Sequence, residues 1–188
     1  MSGWDLPQTI EIAGKEYRIN ADYRDILQII DILNDPEMPE PTKLYVSANL
    51  FFDDFDQLPK NAYEEAIHHL MLFINCGEEE TDTGQKPKTI DWGQDRQMII
   101  SDINKAAGME VRAVPFLHWW TFISYFGAIG DGRLSTVVAI REKKRKGKKL
   151  DDWEREYYQE HKKEIDFAPK YTAEEIAEQE RIKKLLGE

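Results

Sequence analysis

The sequence predicts a mainly α protein: a multi-helix domain with a small N-terminal β-hairpin and a polar C-terminal helical tail. Three observations carry this. Tyr63, Ala66, Ile67, Leu70, Met71 and Ile74 recur at the spacing of an amphipathic helix. Residues 8–19 alternate as strands do, around a glycine. The stretch 116–126, Phe-Leu-His-Trp-Trp-Thr-Phe-Ile-Ser-Tyr-Phe, is uncharged and has six aromatic residues in eleven. A helix apolar over most of its circumference must be covered on most sides.

The elements follow in order. Thr9–Ile12 and Glu16–Ile19 flank Ala13-Gly14-Lys15, and Gly14 supplies the turn. A lone hairpin is marginal in water, so it must pack on something. Asn20 is the expected N-cap of a helix carrying Tyr23, Ile26, Leu27, Ile30 and Leu33. Ile29 and Ile32 lie off that stripe and point to a second contact. Asp35-Pro36 stops the helix, and 36–41, with three prolines, reads as a connector. Leu44–Phe55 reads as helical, and Asn75-Cys76-Gly77 ends the Tyr63 helix.

Residues 77–90, acidic and turn-rich, divide the chain into an N-terminal part (1–76) and an aromatic-rich helical part (91–166), with a polar helix at 167–188. Asp91 and Gln94 match an Asp variant of the capping box. Trp92, Ile99, Ile103 and Ala106 give the next helix its buried side, and Gly108 closes it. Pro115 opens the aromatic helix, with Phe116, Trp120, Ile123 and Gly127 on one stripe and Phe122 and Phe126 on a neighbouring one. Leu134–Ile140 starts another helix, and Leu150, Trp153, Tyr157 and Ile165 mark one with a thin apolar edge. Thr172 and Glu175 form a capping box for the final helix, which has only Ile176, Ile182, Leu185 and Leu186 to bury.

Composition narrows the function. The 188 residues are 41% hydrophobic and 32% charged, with a net charge of −11, which suits a folded domain with much solvated helix surface. Such a chain has no general attraction to nucleic acid or anionic membrane. Cys76 is the only cysteine, so neither an intrachain disulfide nor a cysteine-based metal site forms. No apolar run approaches the ~20 residues that span a bilayer. The start, Met-Ser-Gly-Trp-Asp, lacks the basic segment and apolar core of a signal peptide, so a reducing cytoplasm is the expected location.

No nucleophile–base pair, paired carboxylates, metal cluster or phosphate cradle stands out, so no catalytic, cofactor or metal residue is assigned. Adjacent His68 and His69 point about 100° apart on a helix, which suits shared metal ligation poorly. His118, beside two tryptophans, reads as a packed helix residue. The glycines at 127, 130 and 132 follow a helix and read as its termination and a turn. The run Arg141–Lys149 carries seven positive charges and one negative. One reading is a phosphate-binding patch. The favoured one is an exposed basic hinge, because the acidic whole opposes polyanion binding, basic side chains suit a helix C-terminus and Gly147 breaks the helix. Aromatic stripes at helical spacing are usually core, and Trp119 and Trp120 are expected to be mostly buried; one helix can also pack on one side and present the other.

Asp91-Trp92 with Gln94-Asp95, then Gly108, then Leu117-His118-Trp119-Trp120-Thr121-Phe122, then Leu134-Ser135 and Ile140-Arg141 resemble a family of long-tailed phages and prophages, the gene-product-fifteen family. The Leu-His-Trp-Trp-x-Phe core is the distinctive part. The N-terminal Ile-x-Ile-x-Gly-Lys-x-Tyr hairpin and the isoleucine-rich helix after it fit as well, so the resemblance spans roughly 8–166. It implies a non-enzymatic tail assembly chaperone. That protein would bind the tape measure protein, keep it soluble, help recruit tail tube subunits, act in the host bacterial cytoplasm and be absent from the mature virion. Self-association is compatible with this; membrane contact is not expected, and nucleic acid is disfavoured as a partner. The motif residues Trp92, Leu117, His118, Trp119, Trp120 and Phe122 are the candidate partner-binding or architectural set. The alternatives are a nucleic-acid-binding phage protein using 141–149, or a structural head–tail component.

Overall fold

The computed structural model describes residues 4–79, 88–168 and 181. Most of the acidic stretch 77–90, and nearly all of the expected C-terminal helix, lie outside the described residues. Among the described residues the architecture is mainly α with one two-stranded antiparallel hairpin.

Strands β1 (Thr9–Ile12) and β2 (Lys15–Arg18) pair Ile10 with Tyr17 and Ile12 with Lys15. Ala13 and Gly14 both have positive φ, 50° and 78°, as a two-residue hairpin turn of matching twist requires. Alternation then puts Ile10, Ile12 and Tyr17 on one buried face.

Helix α1 (Tyr23–Leu33) starts later than expected. Its N-cap is Asp22, whose carboxylate accepts from the Arg24 N–H, and not Asn20. The reason is tertiary. The chain stays extended through 19–22, where Ile19 pairs with Phe52 and Asp22 with His118. The Asn20 amide donates to the Leu50 carbonyl instead, at 2.9 Å. Ile29, off the sequence stripe, is fully buried, so the second contact exists. Helix α2 (Glu40–Phe51) begins inside the expected connector, with Pro39 as cap and Pro41 in the first turn, where a missing N–H costs nothing. It ends at Phe51 because Phe52 turns extended to meet Ile19.

Helix α3 (Tyr63–Ile74) stands where the periodicity put it, but its buried line is Ala66, Leu70 and Phe73, and Met71 is exposed. The helix is rotated toward α2 and the hairpin. Helix α4 (Arg96–Ala107) closes at Gly108, whose φ is 67°. Ile99 and Ile103 are buried as expected, while Ala106 is exposed and Ala107 packs inward.

The aromatic helix α5 (Trp119–Gly127) is shorter than the apolar run. Its cap is His118, and Phe116 lies outside it, 52% exposed. Tyr23 N–H donates to the Leu117 carbonyl and Trp119 N–H to that of Ala21, which holds 117–118 extended. The buried pair is therefore Trp119 and Phe122, in place of the stripe through Phe116, Trp120, Ile123 and Gly127.

Helix α6 (Arg133–Arg145) buries Leu134, Val137, Ile140 and Arg141. It ends in a Schellman turn: Lys148 N–H bonds the Lys143 carbonyl and Gly147 N–H that of Lys144, with Gly147 at φ 62°. The expected last helix of this part is two, α7 (Asp152–Glu160) and α8 (Lys162–Ile165), broken at His161. Ile165 is buried but Trp153 is 56% exposed. Glu154 takes the inward position, held by Lys143 and by the Asp151 N–H. Residues from both sides of the acidic stretch, from Ile10 to Ile165, form one continuous core.

Candidate partner-docking cleft

Arg141 is the keystone beneath the site. It opens the basic run, yet it is buried, which corrects the exposed-hinge expectation at this position. All five guanidinium N–H groups are used. Two go to the buried Asp95 carboxylate at 2.6 and 2.8 Å, and three to the carbonyls of Thr89, Glu164 and Ile165. The Phe167 ring covers the guanidinium at 4.1 Å. The Arg fork matches a carboxylate in this way where a Lys ammonium does not. Asp95 also accepts the Asp91 N–H, while the Asp91 carboxylate accepts from the N–H groups of Gly93 and Gln94. The reciprocal half of the expected capping box thus comes from Asp95 and not from Gln94. The Gln94 amide reaches across to Glu164, Asp166 and Ala168 and straps the end of the described chain to the start of α4.

The Leu-His-Trp-Trp-x-Phe segment is a second clamp. His118 Nδ1 accepts the Trp120 N–H at 3.1 Å, so its proton sits on Nε2 and points to the Pro7 carbonyl at 3.0 Å. Burial lowers the His118 pKa from its ordinary 6.5, against the opposing bond to Pro7. The Trp119 indole N–H donates to the Ile74 carbonyl and that of Trp120 to the Phe73 carbonyl, each at 2.9 Å. Trp119 thus supplies a donor to the Ile74 carbonyl at the end of α3, while the Phe73 carbonyl accepts from both Trp120 and the Cys76 N–H. Trp119 is buried and Trp120 half-buried. Gly77, at φ 86°, leaves room for the Trp120 ring, which an added Cβ would meet at 3.4 Å.

Phe122 stacks on Tyr23 at 4.5 Å, and Trp92 packs within 5.1 to 6.3 Å of Phe126, Trp119 and Phe122. Trp92 carries this cluster to the surface. It lies at the bottom of a cleft of about 550 Å³ between α1 and the start of α4, floored by Leu27, Trp92 and Ile100 and rimmed by Arg24, Arg96 and Arg112. A neighbouring cleft of about 300 Å³ shares Trp92 and Asp31 and continues along α1 past Ile30 to Asn34, with Lys88 on its far wall. Together they run the length of α1.

Three arginines sit on the rim beside Asp31, and two of them are already paired with carboxylates. Arg24 is fixed by Asp22 and donates to the Val114 carbonyl at 2.7 Å, and it lies over the Tyr23 ring. Arg112 pairs with Glu110, whose carboxyl its hydrogen bonds hold down to about 2. Arg96 is exposed at the first turn of α4. The structure thus brings Trp92, Trp119 and Phe122 together and leaves only Trp92 on the cleft. Leu117, His118 and Trp119 are interior, and Trp120 belongs to the α3 clamp. Leu27 was visible as a helical-stripe residue, but the arginines gave no periodic signal.

The basic run is largely answered within the molecule. Lys143 meets Asp151 and Glu154, Lys144 meets Asp166, and Arg145 and Lys146 meet Glu142. Among the described residues no cluster of His, Cys, Asp and Glu could hold a metal ion, and no helix is long and apolar enough to cross a membrane.

No curated protein and no solved structure matches the chain. The family model described as Bacteriophage Gp15 protein matches residues 4–167, from before the hairpin to the Phe167 that covers Arg141, and the chain belongs to that family.

Proposed function

We propose that this phage protein is a tail assembly chaperone that binds the tape measure protein through the cleft along α1. The observation that carries the reading is that cleft: an apolar floor of Leu27, Trp92 and Ile100 under an arginine rim. It suits one amphipathic helix laid along α1, with its apolar side on Trp92 and acidic side chains on the rim. Exposed rim charges steer association and make it salt-dependent. The resemblance adds the partner: a long helical chain whose apolar faces aggregate when unpaired. Shielding such faces keeps the tape measure protein soluble in the host cytoplasm. Recruitment of tail tube subunits follows, and the chaperone leaves before the virion is complete. It performs no bond-making or bond-breaking.

Co-expression tests this. The tape measure protein of the same phage should gain soluble yield and co-purify with the chain. An unchanged yield without co-purification rejects the reading, as does finding the chain as a stoichiometric part of purified particles.

A further inference from the structure

We infer that α7 and α8 form a strap, latched on α6 by charge, whose seating holds in place the turn that carries Trp92. The strap thereby regulates the cleft from outside it, and this regulatory sense rests on the cleft being the docking site proposed above.

The strap buries little. Across 150–168 the one buried apolar side chain is Ile165; Leu150, Tyr157 and Tyr158 are half-buried, and Trp153 is exposed. Charge supplies most of the remaining hold. Arg133 pairs with Glu164 and Lys144 with Asp166, while Lys143 meets Asp151 at 2.9 Å and Glu154 at 2.7 Å. The Tyr158 hydroxyl also donates to Asp166. The strap's own cations Arg155, Lys162 and Lys163 are exposed. Glu154 is buried, but the side chains of Glu164, Asp166 and Asp151 are 39%, 40% and 65% exposed. Pairs that open to water are weak and screened by salt. A segment with so few buried apolar contacts opens well below the global stability.

The interior tolerates that opening. With the strap lifted, Arg141 gives up the Glu164 and Ile165 carbonyls to water but keeps both bonds to Asp95. No buried charge is left alone, which is the costly case.

The same contacts reach the cleft. The Gln94 amide donates to the Glu164 and Asp166 carbonyls and accepts from the Ala168 N–H. Arg141 ties the Glu164 and Ile165 carbonyls to Asp95 and to the Thr89 carbonyl, and Asp95 accepts from the Asp91 N–H. Thr89, Asp91, Gln94 and Asp95 bracket Trp92 on both sides. No residue of α7 or α8 lines the cleft, so the strap acts on it through this turn. Seated, it pins the turn; lifted, it strips Gln94 of three partners and Trp92 of a fixed base. The bistable element is the strap, and its seating biases the site.

Hydrogen–deuterium exchange with no partner present tests the inference. The wild type is compared with a variant carrying Arg133→Glu and Lys144→Glu, which sets like charges against Glu164 and Asp166. Amides in 154–165 should exchange roughly threefold to tenfold faster, and those in 91–95 with them, while α3 and the hairpin at 9–18 hold. Adding Glu164→Lys and Asp166→Lys restores opposite signs and should return protection to both segments. A faster strap with an unchanged 91–95 overturns the coupling. Strap amides as slow as those of α3, or a swapped chain without rescue, overturn the latch. In the wild type, raising salt from about 50 mM to about 500 mM should speed 154–165, and a salt-independent rate also counts against the latch. Coupled opening in a chain that fails to capture the tape measure protein refutes the proposed function alone. Capture by a chain whose turn ignores the strap refutes only this inference.

Discussion

Asp95 and Trp92 stand three residues apart and serve two different regions. Asp95 faces inward and holds a buried arginine whose every donor is used. Trp92 faces outward at the base of a cleft whose arginines are exposed or paired at the rim. Many of the residues that mark the family, Asp95, Leu117, His118, Trp119, Phe122, Leu134, Ile140 and Arg141 among them, sit in the inner region. The cleft takes Trp92 from that set and builds its rim from residues outside it. The recognisable part of the chain is thus mostly scaffold, and the proposed docking surface is the part the motif hardly touches.

The largest effect expected from breaking this contrast is at the inner region. Removing one partner of a buried ion pair leaves an uncompensated charge, so Arg141→Ala or Asp95→Ala should each cost about 3–5 kcal/mol in urea unfolding. Arg141→Lys should recover little, since an ammonium has three donors for the five bonds made here. A loss below about 1 kcal/mol would place the keystone elsewhere.

Next in size is Trp119→Phe. It leaves the Ile74 carbonyl without its donor and opens space in the core, for an expected loss of about 2–3 kcal/mol. Trp120→Phe, half-exposed, should cost less, about 1 kcal/mol. Equal losses would contradict the inner and outer roles assigned to the pair.

His118 makes the clamp pH-sensitive. Its folded pKa lies below the unfolded 6.5, so the neutral form is the one folding favours. The ring sits among Phe73, Phe116 and Trp120, with the Pro7 carbonyl on Nε2. Stability should be complete above pH 6.5 and fall as pH drops through the window between the unfolded and folded values. His118→Gln should flatten that slope relative to wild type; an unchanged slope would assign the pH dependence to other groups.

The smallest effect is at Cys76, which occupies at φ 56° a helix-terminating position that usually belongs to glycine. Cys76→Gly should raise stability by about 0.5–1 kcal/mol, read as a shift in the urea midpoint without a change in slope.

How much of this was legible follows from the range of each interaction. The hairpin, α3 and the glycine stops are local, and the sequence pattern placed them. The start of α5 was not legible, because a backbone pairing with 21–23, almost a hundred residues upstream, keeps 117–118 extended. The Asn20 cap failed for the same reason, seen from the other strand. Charge gave the least. Arg141 and Lys143 looked like the solvated start of a basic run, and only the fold brings Asp95 and Glu154 to them. The cleft was invisible because its walls come from α1, α4 and the turn at Arg112, segments that no spacing rule connects.

The outer region gives the most direct test of the account. Arg96→Glu with Gln97→Glu changes two exposed positions on the cleft wall at the start of α4, where acidic side chains suit the helix dipole, so the melting temperature should hold within about 2 °C. Co-expressed with the tape measure protein, this double variant should lose most of the co-purified partner that the wild type retains. Full retention by a variant of unchanged stability would contradict the claim that the cleft is where the partner docks.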